Sequence, residues 1–168
     1  MKSEELRAKQ APLKEQFRRS PGSALVTLHA EGQLGEGVAC SIATGRALVE
    51  AGLHAATGGD GLQVCSGDML LQSLVACAGV TLAAVATALE IPIAGGTLRA
   101  EGDLDFRGTL GVSREAPVGF QAIRLFIDLD TTAPPEMIAK LLELTERYCV
   151  VLQTLRAPIE VTTQASAG

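Results

Sequence analysis

Asp68-Met69-Leu70-Leu71-Gln72-Ser73-Leu74-Val75-Ala76-Cys77-Ala78-Gly79-Val80-Thr81-Leu82 opens a run in which positions 69 to 89 carry no charge. A run of this length satisfies the requirement for a membrane span. Its composition argues otherwise: it is rich in Ala, contains Gln72, Ser73, Thr81 and Thr87, is bounded by Asp68 and Glu90, and has neither an aromatic belt nor adjacent Lys or Arg. A helix apolar nearly all round is instead expected at the buried centre of a domain. Ser66 is the expected N-cap, with Asp68 in the first turn where a carboxylate suits the helix dipole, and Pro92 closes the segment.

The flanks place this helix in an α+β chain. Upstream, residues 3 to 19 read as a charged amphipathic helix ended by Ser20-Pro21-Gly22. Strand-like runs at 24 to 30, 37 to 43 and 46 to 55, separated by glycine-rich turns, predict an antiparallel meander. Downstream, strands are expected near 97 to 107 and 119 to 130. The second alternates Ile123, Leu125, Ile127 and Leu129 with Arg124, Phe126 and Asp128, so one face is buried and the other wet. Pro134-Pro135 starts a second helix that carries Cys149 on or beside its apolar stripe, and a short strand is predicted at 159 to 163. Without strict strand–helix alternation, a parallel α/β fold is excluded. The chain divides into a helical extension, 1 to 21, and one domain, 22 to 168.

The 168 residues, 47% hydrophobic and 20% charged, suffice for one substantial core. Aromatic residues make up only 3%, with no Trp, so the core is aliphatic and stacking rings for single-stranded nucleic acid are lacking. A net charge of −5 likewise excludes a nucleic-acid partner as the expectation; the basic residues of the first helix are partly offset by Glu4, Glu5 and Glu15. The charged opening Met1-Lys2-Ser3-Glu4-Glu5 has no apolar core of a signal peptide, so a cytoplasmic location is expected, with no membrane partner. There Cys40, Cys65, Cys77 and Cys149 are expected to be reduced, and their spacing to one another and to His29 and His54 predicts no metal site.

Two of the cysteines carry the chemistry. Cys77 and Cys149, in Glu146-Arg147-Tyr148-Cys149-Val150, stand 72 positions apart in helical contexts and form no C-x-x-C, so a thiol redox site must be assembled by the fold. Thiolate attacks peroxide oxygen, and the resulting sulfenic acid condenses with a second thiol. Burial would raise the pKa of Cys77, so a cation or hydrogen-bond donor must come from another segment. Cys40 is expected to be packing and Cys65 a loop filler; the Gly58 to Gly61 loop lacks a phosphate-binding motif.

The apolar helix around Cys77, the hairpin and the Arg147-Tyr148-Cys149 segment resemble the OsmC/Ohr family of organic hydroperoxide reductases over residues 24 to 163. The resemblance implies an intertwined homodimer in which antiparallel sheets wrap long central helices, with Cys77 peroxidatic and Cys149 resolving. It implies an organic hydroperoxide as substrate, an external thiol or dithiol as reductant, and no cofactor. It also implies an activating arginine held by a glutamate ten positions before the reactive cysteine. This chain has Gly67 there and Asp68 next to it, and Arg46 and His54 are the nearby candidates for the activating role. Two other readings follow from that departure or from the cysteine pair: a non-catalytic relative binding a small hydrophobic ligand, and a thiol redox sensor.

Overall fold

In the computed structural model, residues 2–5, 8, 11, 19, 32–34, 40–43, 48–54, 57, 60–111 and 113–166 are described, with the backbone alone at 32–34, 40–43 and 48. Of the expected N-terminal helix, positions 3–5, 8, 11 and 19 are helical, and the Lys2 N–H donates to Glu5 at 3.2 Å. The predicted strand at 24 to 30 and Arg46 lie outside the described residues.

One sheet has the order β1 (Gly32–Leu34), β2 (Cys40–Ala43), β3 (Leu48–Gly52), β4 (Val64–Cys65). Antiparallel pairing of β2 with β3 matches the expected meander, whereas β1 occupies a stretch read as a turn. The unforeseen β4 runs parallel to β3, setting Cys65 opposite Gly52. Two residues are too few to show strand periodicity, so β4 had no sequence signal.

Helix α1 (Ser66–Leu89) begins directly after Cys65, one residue earlier than a Ser66 cap requires, and Asp68 falls in its first turn as expected. Its end is set by Glu90 in the left-handed conformation, φ 58°, with the Ile91 N–H reaching back to the Ala86 carbonyl at 2.9 Å. This is a Schellman-type stop, accompanied by burial of Ile91. A single stripe of α1 is buried, Leu74, Ala78, Leu82 and Ala86 at i, i+4 spacing.

That stripe packs on the second sheet, the hairpin β5 (Gly95–Leu104) and β6 (Phe120–Asp130). In β6 the buried and exposed residues alternate as predicted, with Ile123, Leu125, Ile127 and Leu129 inward. Gly102 leaves room for the Phe120 ring, which a Cβ would meet at 2.4 Å. The strand expected to reach residue 107 ends at Leu104, because Asp105 caps a one-turn helix, α2 (Phe106–Thr109), by accepting from the Arg107 N–H at 3.0 Å.

Helices α3 (Pro135–Tyr148) and α4 (Val150–Arg156) complete the described fold. The second predicted helix is therefore interrupted at Cys149, which sits in extended conformation (φ −71°, ψ 106°) rather than on a helical stripe. Residues 159 to 163 form no strand: Ile159 and Val161 are exposed and no described strand pairs with them. Alternating β-branched residues make a strand only where a sheet edge accepts them.

Two aliphatic clusters result. One joins Leu82, Ala86, Ile91 and Leu141; the other joins Leu74, Ala78 and Cys149, with Cys77, Leu98, Ile123 and Leu125 against it. By length and composition α1 could also cross a membrane. Within this chain it is instead the shared wall of both clusters, and its far side carries Ala76, Val80 and Ala83 uncovered, Val80 at 73% exposure.

Candidate thiol site

Cys149 is the pivot between two helices. Its N–H donates to the Thr145 carbonyl at 3.0 Å, closing the last turn of α3, and its carbonyl accepts from Gln153 at 2.9 Å, opening α4. In an unbroken helix the N–H groups of Val150, Val151 and Leu152 would bond to the carbonyls of Glu146, Arg147 and Tyr148. The turn at Cys149 withdraws those acceptors and leaves three donors at the start of α4 without helix partners.

The two sulfurs lie beside them. The Val151 and Val150 N–H groups, the Cys149 thiol and the hydroxyl of Thr81, one turn after Cys77 on α1, act to lower the pKa of Cys77, and the Leu152 and Val151 N–H groups act likewise on Cys149. Both cysteines are free thiols. Cys149 is wholly buried and Cys77 partly so.

The surroundings split the two thiols. Burial pushes Cys77 up, but donation from Val151, the Cys149 thiol, Val150 and Thr81 outweighs it and holds Cys77 below the ordinary thiol value. Burial pushes Cys149 up, the adjacent Cys77 adds to this, and the Leu152 and Val151 N–H groups only partly offset it. Cys77 therefore loses its proton first, and Cys149 keeps one to donate.

Beside Cys149 opens a pocket of about 500 Å³, walled by Leu74, Ile123, Leu125, Leu152 and Thr145 and bordered by the ion pair of Arg156 with Glu146 at 2.8 Å. It has the size and apolar lining of a small-molecule site.

Of the residues proposed from sequence, the fold brings Cys77 and Cys149 together. His54 and Asp68 line a different pocket, of about 360 Å³, with Cys65, Gly67 and Phe120. The His54 ring stacks on Phe106, centroids 4.9 Å apart. Asp68 precedes Cys77 by nine helical positions, about 13 Å along the axis, and neither Asp68 nor His54 contributes to the Cys77 environment. A Cβ on Gly67 would make ordinary contacts with Phe120, Leu104 and Cys65 at 3.4–3.6 Å, so the glycine is not imposed by crowding. Sequence reasoning missed the donors: Val150 and Val151 act through their backbone, invisible in side-chain chemistry. Thr81 was read only as a polar residue of the run, although its i+4 spacing from Cys77 was the signal that could have found it.

A helix–hairpin–helix frame holding two neighbouring free thiols defines a class of mixed α and β dithiol proteins. The sequence profile described as OsmC-like protein matches residues 58–164, more than half the chain, and the protein belongs to that family. The fold is similar to that of an OsmC-like protein from Mycoplasma pneumoniae (16% identity, TM-score 0.65, covering 78% of this chain and 88% of that one). It is also similar to an organic hydroperoxide resistance protein from Elizabethkingia anophelis (17%, 0.64, 81% and 92%) and to the organic hydroperoxide resistance protein OsmC of Legionella pneumophila (17%, 0.61, 79% and 90%). Among proteins of curated function, none matches this chain in sequence.

Proposed function

We propose that the protein is a thiol-dependent peroxidase that reduces organic hydroperoxides through Cys77 and Cys149. The observation that carries this reading is the pair of free thiols packed in one cluster, with the Val150 and Val151 N–H groups among those that hold Cys77 below the ordinary thiol value. In the first step the Cys77 thiolate attacks the terminal oxygen of ROOH; the O–O bond breaks, Cys77 becomes sulfenic acid, and the alkoxide takes from solvent the equivalent of the proton that Cys77 released on ionising and leaves as the alcohol ROH. The Cys149 thiol then attacks the sulfenic sulfur, forming the disulfide and releasing water. Two equivalents of an external thiol, or one dithiol, restore both cysteines by exchange and leave as disulfide.

The aliphatic walls around the pair favour alkyl or lipid-derived hydroperoxides over hydrogen peroxide. We also propose that the protein works as a cytoplasmic homodimer. The bare Ala76–Val80–Ala83 side of α1 supports this, because the Ser73 and Thr87 hydroxyls beside it donate back to Met69 and Ala83 at 2.9 and 2.7 Å. That side thus presents little unmet polarity and suits a second copy of the chain. Arg46 remains our candidate for a further activating cation.

Ligand binding without catalysis is the second reading, favoured by the apolar pocket beside Cys149 and by Gly67. One experiment decides between them. The reduced protein is mixed with cumene hydroperoxide, and peroxide loss and titratable thiols are followed together. Consumption with the loss of two thiols per peroxide supports the peroxidase; a rate no greater than that of free thiol leaves the binding protein.

A further inference from the structure

The interruption at Cys149 frees carbonyls as well as N–H groups. Val150 no longer donates to the Glu146 carbonyl as it would in a continuous helix. The carbonyl is taken instead by the side chain of Gln153, whose Nε2 donates to it at 2.7 Å across seven positions of sequence. One turn further on, Arg156 holds the Glu146 carboxylate at 2.8 Å. Both links run from α4 to Glu146, so they span the break without touching either sulfur.

We infer that Gln153 is a positioning residue: by tying α4 to the last turn of α3 it holds the turn at Cys149 and so keeps the Val150 and Val151 N–H groups against Cys77. The bond belongs to the broken form alone. In a continuous helix Gln153 would stand seven positions, about 10 Å along the axis, from Glu146, so the link is made only where the chain turns at Cys149. Gln153 is exposed and lies outside both core clusters, so its replacement leaves the packing intact. The titratable group touching Cys77 is Cys149; β5 and β6 face the pair with Leu98, Ala100, Ile123 and Leu125, and α1 adds Thr81.

This inference rests on Cys77 being the reactive thiol, and its test requires no peroxide. The rate of Cys77 alkylation by iodoacetamide is followed against pH by mass spectrometry in the wild type, Gln153→Met and Gln153→Lys. Met keeps length but cannot donate; Lys keeps an N–H donor of similar reach. In Gln153→Met the curve is expected to move to higher pH, with the rate at neutral pH about threefold lower and the plateau at high pH unchanged, because thiolate population rather than access has changed. Gln153→Lys is expected to return the curve to within about twofold of wild type at neutral pH.

A Gln153→Met curve superimposed on the wild type would overturn the inference, as would a lowered plateau without displacement. If the wild type fails to consume hydroperoxide while Gln153→Met still displaces the curve, the peroxidase reading falls and the role of Gln153 stands.

Discussion

The two clusters along α1 are built from the same helix, the same hairpin and the same kind of aliphatic side chain, yet only one is equipped for chemistry. Around Leu82, Ala86 and Leu141 the partner helix α3 is regular and its backbone groups satisfy one another. Even the buried Thr145 hydroxyl, one turn beyond Leu141, donates to that residue's own carbonyl at 2.8 Å. Around Leu74, Ala78 and Cys149 the partner helix is interrupted, and the N–H groups it releases help to hold Cys77 below the ordinary thiol value. Reactivity is thus located where secondary-structure regularity is given up, while the regular cluster bears the stability. The contrast can be broken by substitution on either side.

The largest expected effect is at the irregular cluster. Cys77→Ser is expected to abolish hydroperoxide reduction, since the group that attacks the O–O bond is gone. Cys149→Ser is expected to support one turnover and then to accumulate sulfenic and over-oxidised Cys77, because no thiol remains to condense. Peroxide-consumption assays with intact-mass spectrometry check both. Undiminished activity in Cys77→Ser would leave the irregular cluster without a chemical role.

At the regular cluster the expectation is reversed. Leu141 is fully buried, and Leu141→Ala should cost about 2–5 kcal/mol of stability through lost transfer energy and a residual cavity. Below its unfolding temperature the variant should retain the wild-type rate–pH curve. Denaturant melts and assays at low temperature test this. A displaced curve in a folded Leu141→Ala protein would show that the clusters are coupled through α3.

A smaller effect sharpens the account of the donors. Because Cys77 is held below the ordinary thiol value, its alkylation should rise with pH through that lowered titration and level off while Cys149, held above the ordinary value, is still protonated. Thr81→Val removes one of four donors and leaves the Val151 and Val150 N–H groups and the Cys149 thiol in place. The curve is expected to move slightly to higher pH, with a loss of about twofold at neutral pH, consistent with part of a single hydrogen bond. A loss as large as that from removing Cys149 would transfer the main role to Thr81.

Much of the frame was legible because periodicity is long-range information. The uncharged run from 69 to 89 and the alternation from Ile123 to Leu129 each repeat over several turns or residues; β6 formed with its expected buried face, and α1 formed with one stripe covered where burial all round was expected. The break at Cys149 was not legible. No Gly or Pro marks it, and Val150-Val151 lowers helix propensity too little to announce it. What meets the break is tertiary: Cys77 lies on another helix, and Gln153 reaches back across seven positions to Glu146. The same lack of a local signal explains β4, and its converse explains residues 159 to 163, where a strand-like pattern found no partner among the described residues. The need for a donor from another segment was foreseen. What was misdirected was the search for it among side chains such as His54 and Asp68.

The smallest expected effect concerns Cys65, which shares with Cys77 a place on or next to α1 but not its surroundings. Its sulfur lies beside Gly67, in the pocket with His54, Asp68 and Phe120, and it makes no contribution to either thiol of the pair. If reactivity followed from a cysteine near the start of a long helix, Cys65 would be the better nucleophile, since the influence of the helix terminus fades within the first turn. If it follows from the donors released at Cys149, Cys65 is a bystander. Cys65→Ser is accordingly expected to leave hydroperoxide consumption within about twofold of wild type, as for a conservative change away from the reacting atoms. The loss of two thiols per peroxide should also be unchanged, which a thiol titration reads directly. A variant that retained the rate but no longer lost two thiols would make Cys65, rather than Cys149, the partner of Cys77.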